Sequence, residues 1–343
     1  MPVRLKPLSQ QVVVITGASS GIGLATARMA ASRGAAVLLV ARHEESLREA
    51  VEGIRGAGGR AEYHVADVAD MAALEAAADK AEAEFGRIDA CVNDAGTSLY
   101  GTVEQITLED HRRLFETNYW GVVHGSLVAA KRLKARGGAI INVGSVLSDR
   151  AVIYQGPYCA SKHAVKAFTD ALRMELEQES ATISVTLIKP AAMDTPFQDH
   201  APIRMDTPGV TVPPVVYDPH LVARAICFAC ETPRRDIYIG GGGAAISLAG
   251  ALFPRLTDFV MEAVGRPLQT TEDRGRPEMR DNLHQARPGG AERSSLRNTQ
   301  RRTSLLLEAQ MAPVTTIAAV AGLAALTLGA MAMRRPSTSQ RWS

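Results

Sequence analysis

Val12-Val-Val-Ile15 runs straight into Thr16-Gly-Ala-Ser-Ser-Gly-Ile-Gly23, and a helical stretch opens at once with Leu24-Ala-Thr-Ala-Arg-Met-Ala-Ala31. An unbroken apolar run of this kind reads as a strand buried on both faces, as in a parallel sheet. Glycines at a strand-to-helix turn let the backbone approach a pyrophosphate, whose charge the helix N-terminus favours. A glycine trio alone also marks ordinary tight turns. The β run before it and the helix after it make it a candidate dinucleotide cradle.

Outward from that unit, apolar β runs alternate with helical segments. Strands are predicted near 12–16, 36–40, 61–65, 88–92, 138–144, 183–189 and 236–239. Helices are predicted near 22–33, 44–56, 71–85, 107–135, 158–179 and 219–231. Continuously apolar strands separated by helices indicate a parallel sheet covered on both sides. Right-handed crossovers then give an α/β fold, a Rossmann-type doubly wound sheet in three α/β/α layers, with its crevice at the C-terminal ends of the strands.

A second stretch, Tyr158-Cys-Ala-Ser-Lys162, sets a phenol and an ammonium one helical turn apart. Side chains at i and i+4 share a helix face. Tyrosine titrates near pH ~10 in water. A cation about 4 Å away, at an effective dielectric of ~20, favours the phenolate by about 4 kcal/mol. Such a shift brings the phenol into range for proton transfer at neutral pH. A Tyr and a Lys four apart are more often a plain amphipathic pair, so the chemical reading leans on its company.

With both stretches present, and with the spacing Thr16-Gly17-x-x-x-Gly21-x-Gly23, the chain resembles the classical short-chain dehydrogenase/reductase family over about residues 8–240. The resemblance implies a catalytic set of Asn118, Ser145, Tyr158 and Lys162. Tyr158 would serve as acid/base, and Lys162 would lower its pKa and hold the nicotinamide ribose. Ser145 would steady charge on the reacting oxygen, and Asn118 would hold a water linking the lysine to solvent. The resemblance also places a cofactor on Gly17, Ser19, Ser20, Gly21, Ile22 and Gly23 of the loop. Asp67 would accept from the adenine amine, with Val68 against the ring. Asn93, Ala95 and Gly96 would support the sheet and line the ribose, while Pro190 and Thr195 would join Tyr158 and Lys162 at the nicotinamide end. Two positions depart from the family pattern: Asp94 stands where an Asn is usual, and Ala191 replaces a glycine.

Arg42 follows the second β run, Ala36-Val-Leu-Leu-Val40, with no acidic residue until Glu44. An acidic side chain about there grips the 2′-hydroxyl of NAD, whereas an arginine accommodates the 2′-phosphate of NADP. NADP(H) is therefore the expected cofactor, with NAD less favoured. Ser20 stands where many NADP-selective relatives carry a basic residue.

The 343 residues are 46% hydrophobic with a formal net charge of +2, which suits one large domain plus a tail and gives no reason to propose a nucleic-acid partner. Residues 1–10 are too short and polar for a signal peptide. Cys91, Cys159, Cys227 and Cys230 suggest reduced thiols, and Cys227-x-x-Cys230 sits in an apolar helical run without a second ligand pair, so no metal is expected. The expected organisation is a catalytic domain over 1–243 and an apolar helical extension over 244–265. A polar, Arg-rich linker over 266–310, disordered or wrapped on the surface, follows. Residues 311–335 form a candidate membrane helix.

Within that last segment, Ala312 to Met333 carries no charge and Arg334-Arg335 follow it. About 20 helical residues cross ~30 Å of hydrocarbon. The run is mostly Ala, Gly and Thr, which makes insertion marginal. The expectation is a cytoplasmic catalytic domain anchored at its C-terminus, against a helix docked on the domain or a partner. A homodimer is compatible with the fold.

The function expected is NADP(H)-dependent interconversion of an alcohol and a ketone or aldehyde by hydride transfer. By position, Pro196 to Pro219 forms a lid over the substrate. Ile246, Leu248, Leu252, Phe253, Leu256, Phe259 and Val260 suggest a lipophilic substrate such as a steroid, retinoid or acyl chain, or equally packing on the domain or a partner subunit. The rivals are a 3-oxoacyl-thioester reductase, a nucleotide-binding regulator without turnover, and a membrane-recruited scaffold.

Overall fold

The structure, a computed structural model, describes residues 3–274, 279–296, 299–313 and 316. From β1 (Val12–Thr16) the chain enters α1 (Gly21–Ser32), then β2 (Ala36–Ala41), α2 (Glu44–Gly56), β3 (Arg60–Val65), α3 (Met71–Phe85) and β4 (Ala90–Asn93). After α4 (Leu108–Phe115), a π-turn over Glu116–Trp120 and α5 (Gly121–Leu133) comes β5 (Gly138–Val143). Next come α6 (Gly156–Gln178) and β6 (Ile183–Pro190), the short α7 (Phe197–His200), β7 (Gly209–Val210) and β8 (Val216–Tyr217), and then α8 (His220–Glu231) and β9 (Asp236–Ile239).

Seven strands form a parallel sheet in the order β3-β2-β1-β4-β5-β6-β9. The apolar strands split by residue parity. Val13, Ile15, Val37, Leu39 and Ile141 face a core shared with α1, α2 and α8, while Val14, Leu38, Val40 and Ile140 face one shared with α3, α5 and α6. Two buried faces explain why these strands read as continuous apolar runs. The strand order reverses between β1 and β4, and that reversal opens a crevice above their C-terminal ends. The predicted helix over 107–135 is interrupted by the π-turn, which re-aims Asn118 inward.

Beyond β9 the chain forms α9 (Gly241–Leu252) and α10 (Pro254–Gln269), so the apolar extension runs four residues past its expected end. Of the two alternatives for 266–310, disordered or wrapped on the surface, the described residues follow the second. β10 (Thr270–Thr271) pairs antiparallel with β7, β11 (Gln300–Arg301) pairs parallel with β8, and α11 (Leu305–Met311) packs on α8 and β9. The physical reason is that its polar residues are matched: Asp281 with Arg204, Glu292 with Arg28, Arg293 with Asp218 and Glu308 with Arg224. Leu283 and Leu307, both fully buried, anchor it. The candidate membrane segment lies outside the described residues apart from its first few. Among the described residues no helix is long and apolar enough to cross a membrane.

Candidate active site

At the crevice, Gly17 adopts φ 72° and brings the loop against the backbone of Ala95, where an added Cβ would sit 2.8 Å from the Ala95 nitrogen. Gly21, with φ 54°, faces Thr195, whose Cβ would lie 3.4 Å from a Cβ at Gly21. The bare backbone of the loop, the N-terminus of α1 and the ends of β2, β4, β5 and β6 enclose a cavity of about 570 Å³. Its walls include Ser19, Ser20, Ile22, Arg42, Asp67, Val68, Ala95, Gly96, Ser145, Tyr158, Lys162, Pro190 and Thr195, together with Gly17 and Gly21. A glycine-lined groove at a helix N-terminus fits an extended dinucleotide.

Three predicted site residues stand behind the wall. Gly23 allows α1 to pack on the loop, since a Cβ there would meet the Gly17 carbonyl oxygen at 2.4 Å. Asn93, expected at the ribose, is buried below the cavity, where its Nδ2 donates to Asn142 Oδ1 (2.8 Å) and Ser126 Oγ (3.1 Å). Asn118, fully buried, accepts from the Thr97 N–H (2.8 Å) and donates to the Thr97 carbonyl (2.9 Å) and Ser161 Oγ (3.1 Å). Asn118 thus holds the Thr97 backbone from beneath, while Asn93 ties β4 to β5 and α5 through side-chain bonds.

Tyr158 is buried, its ring edge-on to Phe197 at 5.6 Å. Burial pushes its phenol above the ordinary value, and a hydrogen bond with Ser145 opposes that rise. The Lys162 ammonium lies 5.8 Å from the ring centroid and donates to the Val143 carbonyl at 2.8 Å. Burial brings Lys162 down to about 8, with Asp94 opposing. Asp94, the departure from the family pattern, is pushed up to about 7 by burial, opposed by Lys162 and by the Gly23 N–H. Ser145 is fixed by Ser148, whose Oγ accepts the Ser145 N–H at 3.1 Å while Ser145 Oγ accepts from Leu147 N–H at 3.0 Å.

At the other end, Arg42 donates to the backbone carbonyls of Asn282 and, at 3.3 Å, Leu283. Asp67 is paired with Arg113 and lies 4.0 Å from Arg42. Neither Arg113 nor residues 282–283 could be assigned from local motifs, because their contacts cross from another part of the chain. Ala191 packs its methyl on Gly240, where a Cβ would sit 2.8 Å away; the glycine run after β9 makes room for the missing family glycine. All four cysteines are free and buried, and no cluster of metal-binding side chains occurs among the described residues.

A sequence profile described as short chain dehydrogenase matches residues 11–204. The chain is 43% identical over 325 residues to the uncharacterized oxidoreductase YxnA of Bacillus subtilis (strain 168), covering 94% of this chain and 91% of that one. It is 38% identical over 193 residues to a Streptomyces virginiae protein named "Monensin polyketide synthase putative ketoacyl reductase", covering 55% of this chain and 73% of that one. Among solved structures, a short-chain dehydrogenase/reductase from Burkholderia phymatum in complex with NAD matches with a TM-score of 0.56 and 32% identity, over 57% of this chain and 70% of that chain. With the sheet order, the cradle and the Ser145–Tyr158–Lys162 cluster, these matches establish that the chain belongs to the short-chain dehydrogenase family, as an NAD(P)-dependent oxidoreductase acting on CH–OH groups.

Proposed function

We propose that the protein interconverts a lipophilic alcohol and its ketone or aldehyde, with NADP(H) favoured over NAD(H). When bound, the nicotinamide supplies or accepts the hydride. Tyr158 passes the proton to or from the substrate oxygen, and Ser145 orients that oxygen and steadies its charge. Lys162, deep below Tyr158, supplies the positive charge that stabilises the phenolate form as it develops.

The observation that carries the substrate reading is the apolar wall of the cavity beyond Tyr158. Met261, Val264 and Leu268 of α10 and Ile246 of α9 line it, opposite Val212 and Val215 of the predicted lid. Of the seven apolar residues singled out in the sequence, only Ile246 lines the cavity; the other six face solvent. Two buried amides, Gln155 and Gln269, hydrogen-bonded at 2.6 Å, interrupt this wall and offer a polar contact to a second oxygen on the substrate.

Support for NADP(H) is Arg42 on the cavity wall with no acidic side chain at the end of β2. Dissociation constants for NADPH and NADH, in wild type and Arg42→Ala, test this. A wild-type gap of one to two orders of magnitude that shrinks in the variant is expected, the worth of a charge-assisted contact of ~1.5–3 kcal/mol. Equal wild-type constants would remove the preference.

The second reading, a 3-oxoacyl-thioester reductase, is favoured by the Streptomyces virginiae relative. A side-by-side assay of free lipophilic ketones and 3-oxoacyl thioesters separates the two. Membrane contact through 312–333 stays part of the proposal, tested by fractionating the full chain from membranes and expecting sedimentation with them.

A further inference from the structure

We propose that residues 279–296 are the outer wall of the dinucleotide site, a strap across the glycine loop that encloses the bound cofactor, and that Arg42 is a positioning residue for this strap. The inference rests on the dinucleotide lying in the groove of the β1–α1 loop.

The strap touches that loop by backbone alone. The Gly21 N–H donates to the Ala291 carbonyl (2.9 Å) and the Gly290 N–H to the Ser19 carbonyl (2.7 Å). The Gly289 N–H donates to Ser46 Oγ at 2.9 Å. Upstream, Arg42 and Arg113 converge on one carbonyl, that of Leu283, at 3.3 Å and 3.0 Å. Thr97 Oγ1 donates to Asn282 Oδ1 at 2.7 Å, and the Asn282 N–H donates to the His200 carbonyl at 3.1 Å. Downstream, Glu292 is held by Arg28 (2.8 Å) and His220 (2.7 Å), and Arg293 by Asp218 (2.8 Å). These partners lie on both banks of the groove, so the strap crosses it.

The groove beneath stays open. Asn282, Ala286 and Arg287 face the same cavity as Gly17, Ser20 and Val68. A dinucleotide laid along the loop is therefore covered, and it leaves when the strap lifts. Lifting is feasible because the strap is held mainly by hydrogen bonds and half-exposed ion pairs, with Leu283 and Met279 as its buried apolar anchors. Cofactor release would then be a gated step of the cycle.

The strap makes a prediction that a 2′-phosphate contact does not. Loosening it speeds the loss of NADPH and NADH by a common factor, whereas losing a phosphate contact affects NADPH alone. Gly289→Val is the direct perturbation, because a Cβ there would sit 2.6 Å from the Ser19 carbonyl oxygen and must lift the backbone. Dissociation of both reduced nucleotides, followed by their fluorescence on dilution, should be at least about fivefold faster in Gly289→Val and Arg42→Ala, the loss of roughly one hydrogen bond. In the wild-type full chain, amide exchange over 281–291 should slow when NADP⁺ or NAD⁺ is added. Bound dinucleotide with unchanged exchange over 281–291, or folded variants that release both nucleotides at the wild-type rate, overturns the strap. A wild-type chain that binds neither nucleotide overturns the cofactor reading with it.

Discussion

Tyr158 and Lys162 are both deep enough that burial, more than their mutual attraction, sets their proton affinities. Burial disfavours the phenolate of Tyr158 and brings the Lys162 ammonium down to about 8. Tyr158→Phe and Lys162→Ala should each lower kcat by about a hundredfold or more, with the circular dichroism of the wild type retained. A Tyr158→Phe enzyme keeping a third of wild-type kcat would remove the acid/base role. Asp94 makes a separate prediction. Its folded pKa, about 7, lies above its ordinary 3.8, so its contribution to stability is complete below the ordinary value and lost as pH rises through about 7. Asp94→Asn has no proton to lose. Its melting temperature relative to wild type should therefore climb between about pH 4 and pH 7.5, and a flat difference would place the carboxyl in a solvated setting.

Among the elements, the edge strand β9 depends on a side chain from far along the chain. Gln310 of α11 accepts the Tyr238 N–H at 3.0 Å and donates to the Tyr238 carbonyl at 2.9 Å, filling the place of an eighth strand. Gln310→Ala should cost about 1–2 kcal/mol in denaturant unfolding and speed exchange of the Tyr238 amide; unchanged exchange would mean that α11 does not cap the edge. The strands were legible because burial on both faces writes itself as an apolar run, and the cradle because Gly17, Gly21 and Gly23 fall within one short stretch of sequence. Asn118 was legible as a residue but its π-turn was not, since nothing local distinguishes Glu116–Trp120 from the α-helix on either side. The strap was illegible for a different reason. Its composition is that of a disordered segment, and its order comes from carbonyls and carboxylates matched to arginines more than 70 residues away, such as Arg42 and Arg204. Arg42 is legible in the sequence as a partner for a 2′-phosphate, but not as the donor to the Asn282 and Leu283 carbonyls, which lie far along the chain.

For the molecule as a whole, the C-terminal extension is part of the working domain. α9 and α10 wall the substrate end of the cavity, residues 279–296 cross the cofactor end, and α11 closes the sheet edge. The match to YxnA over 94% of this chain reaches into the extension, whereas the match to the Streptomyces virginiae reductase covers 55%. On the proposed reading, the parts common to both carry the hydride chemistry, and the added parts shape what enters and how long it stays. The most direct measurement is the oxidation of NADPH by the purified full chain against a panel of lipophilic ketones and aldehydes, run beside NADH and beside Tyr158→Phe. Carbonyl-dependent NADPH oxidation that exceeds the NADH rate and falls by about a hundredfold or more in Tyr158→Phe is the expected result. Carbonyl-dependent oxidation that persists undiminished in Tyr158→Phe, or no turnover of any carbonyl or alcohol with either nucleotide, would contradict it.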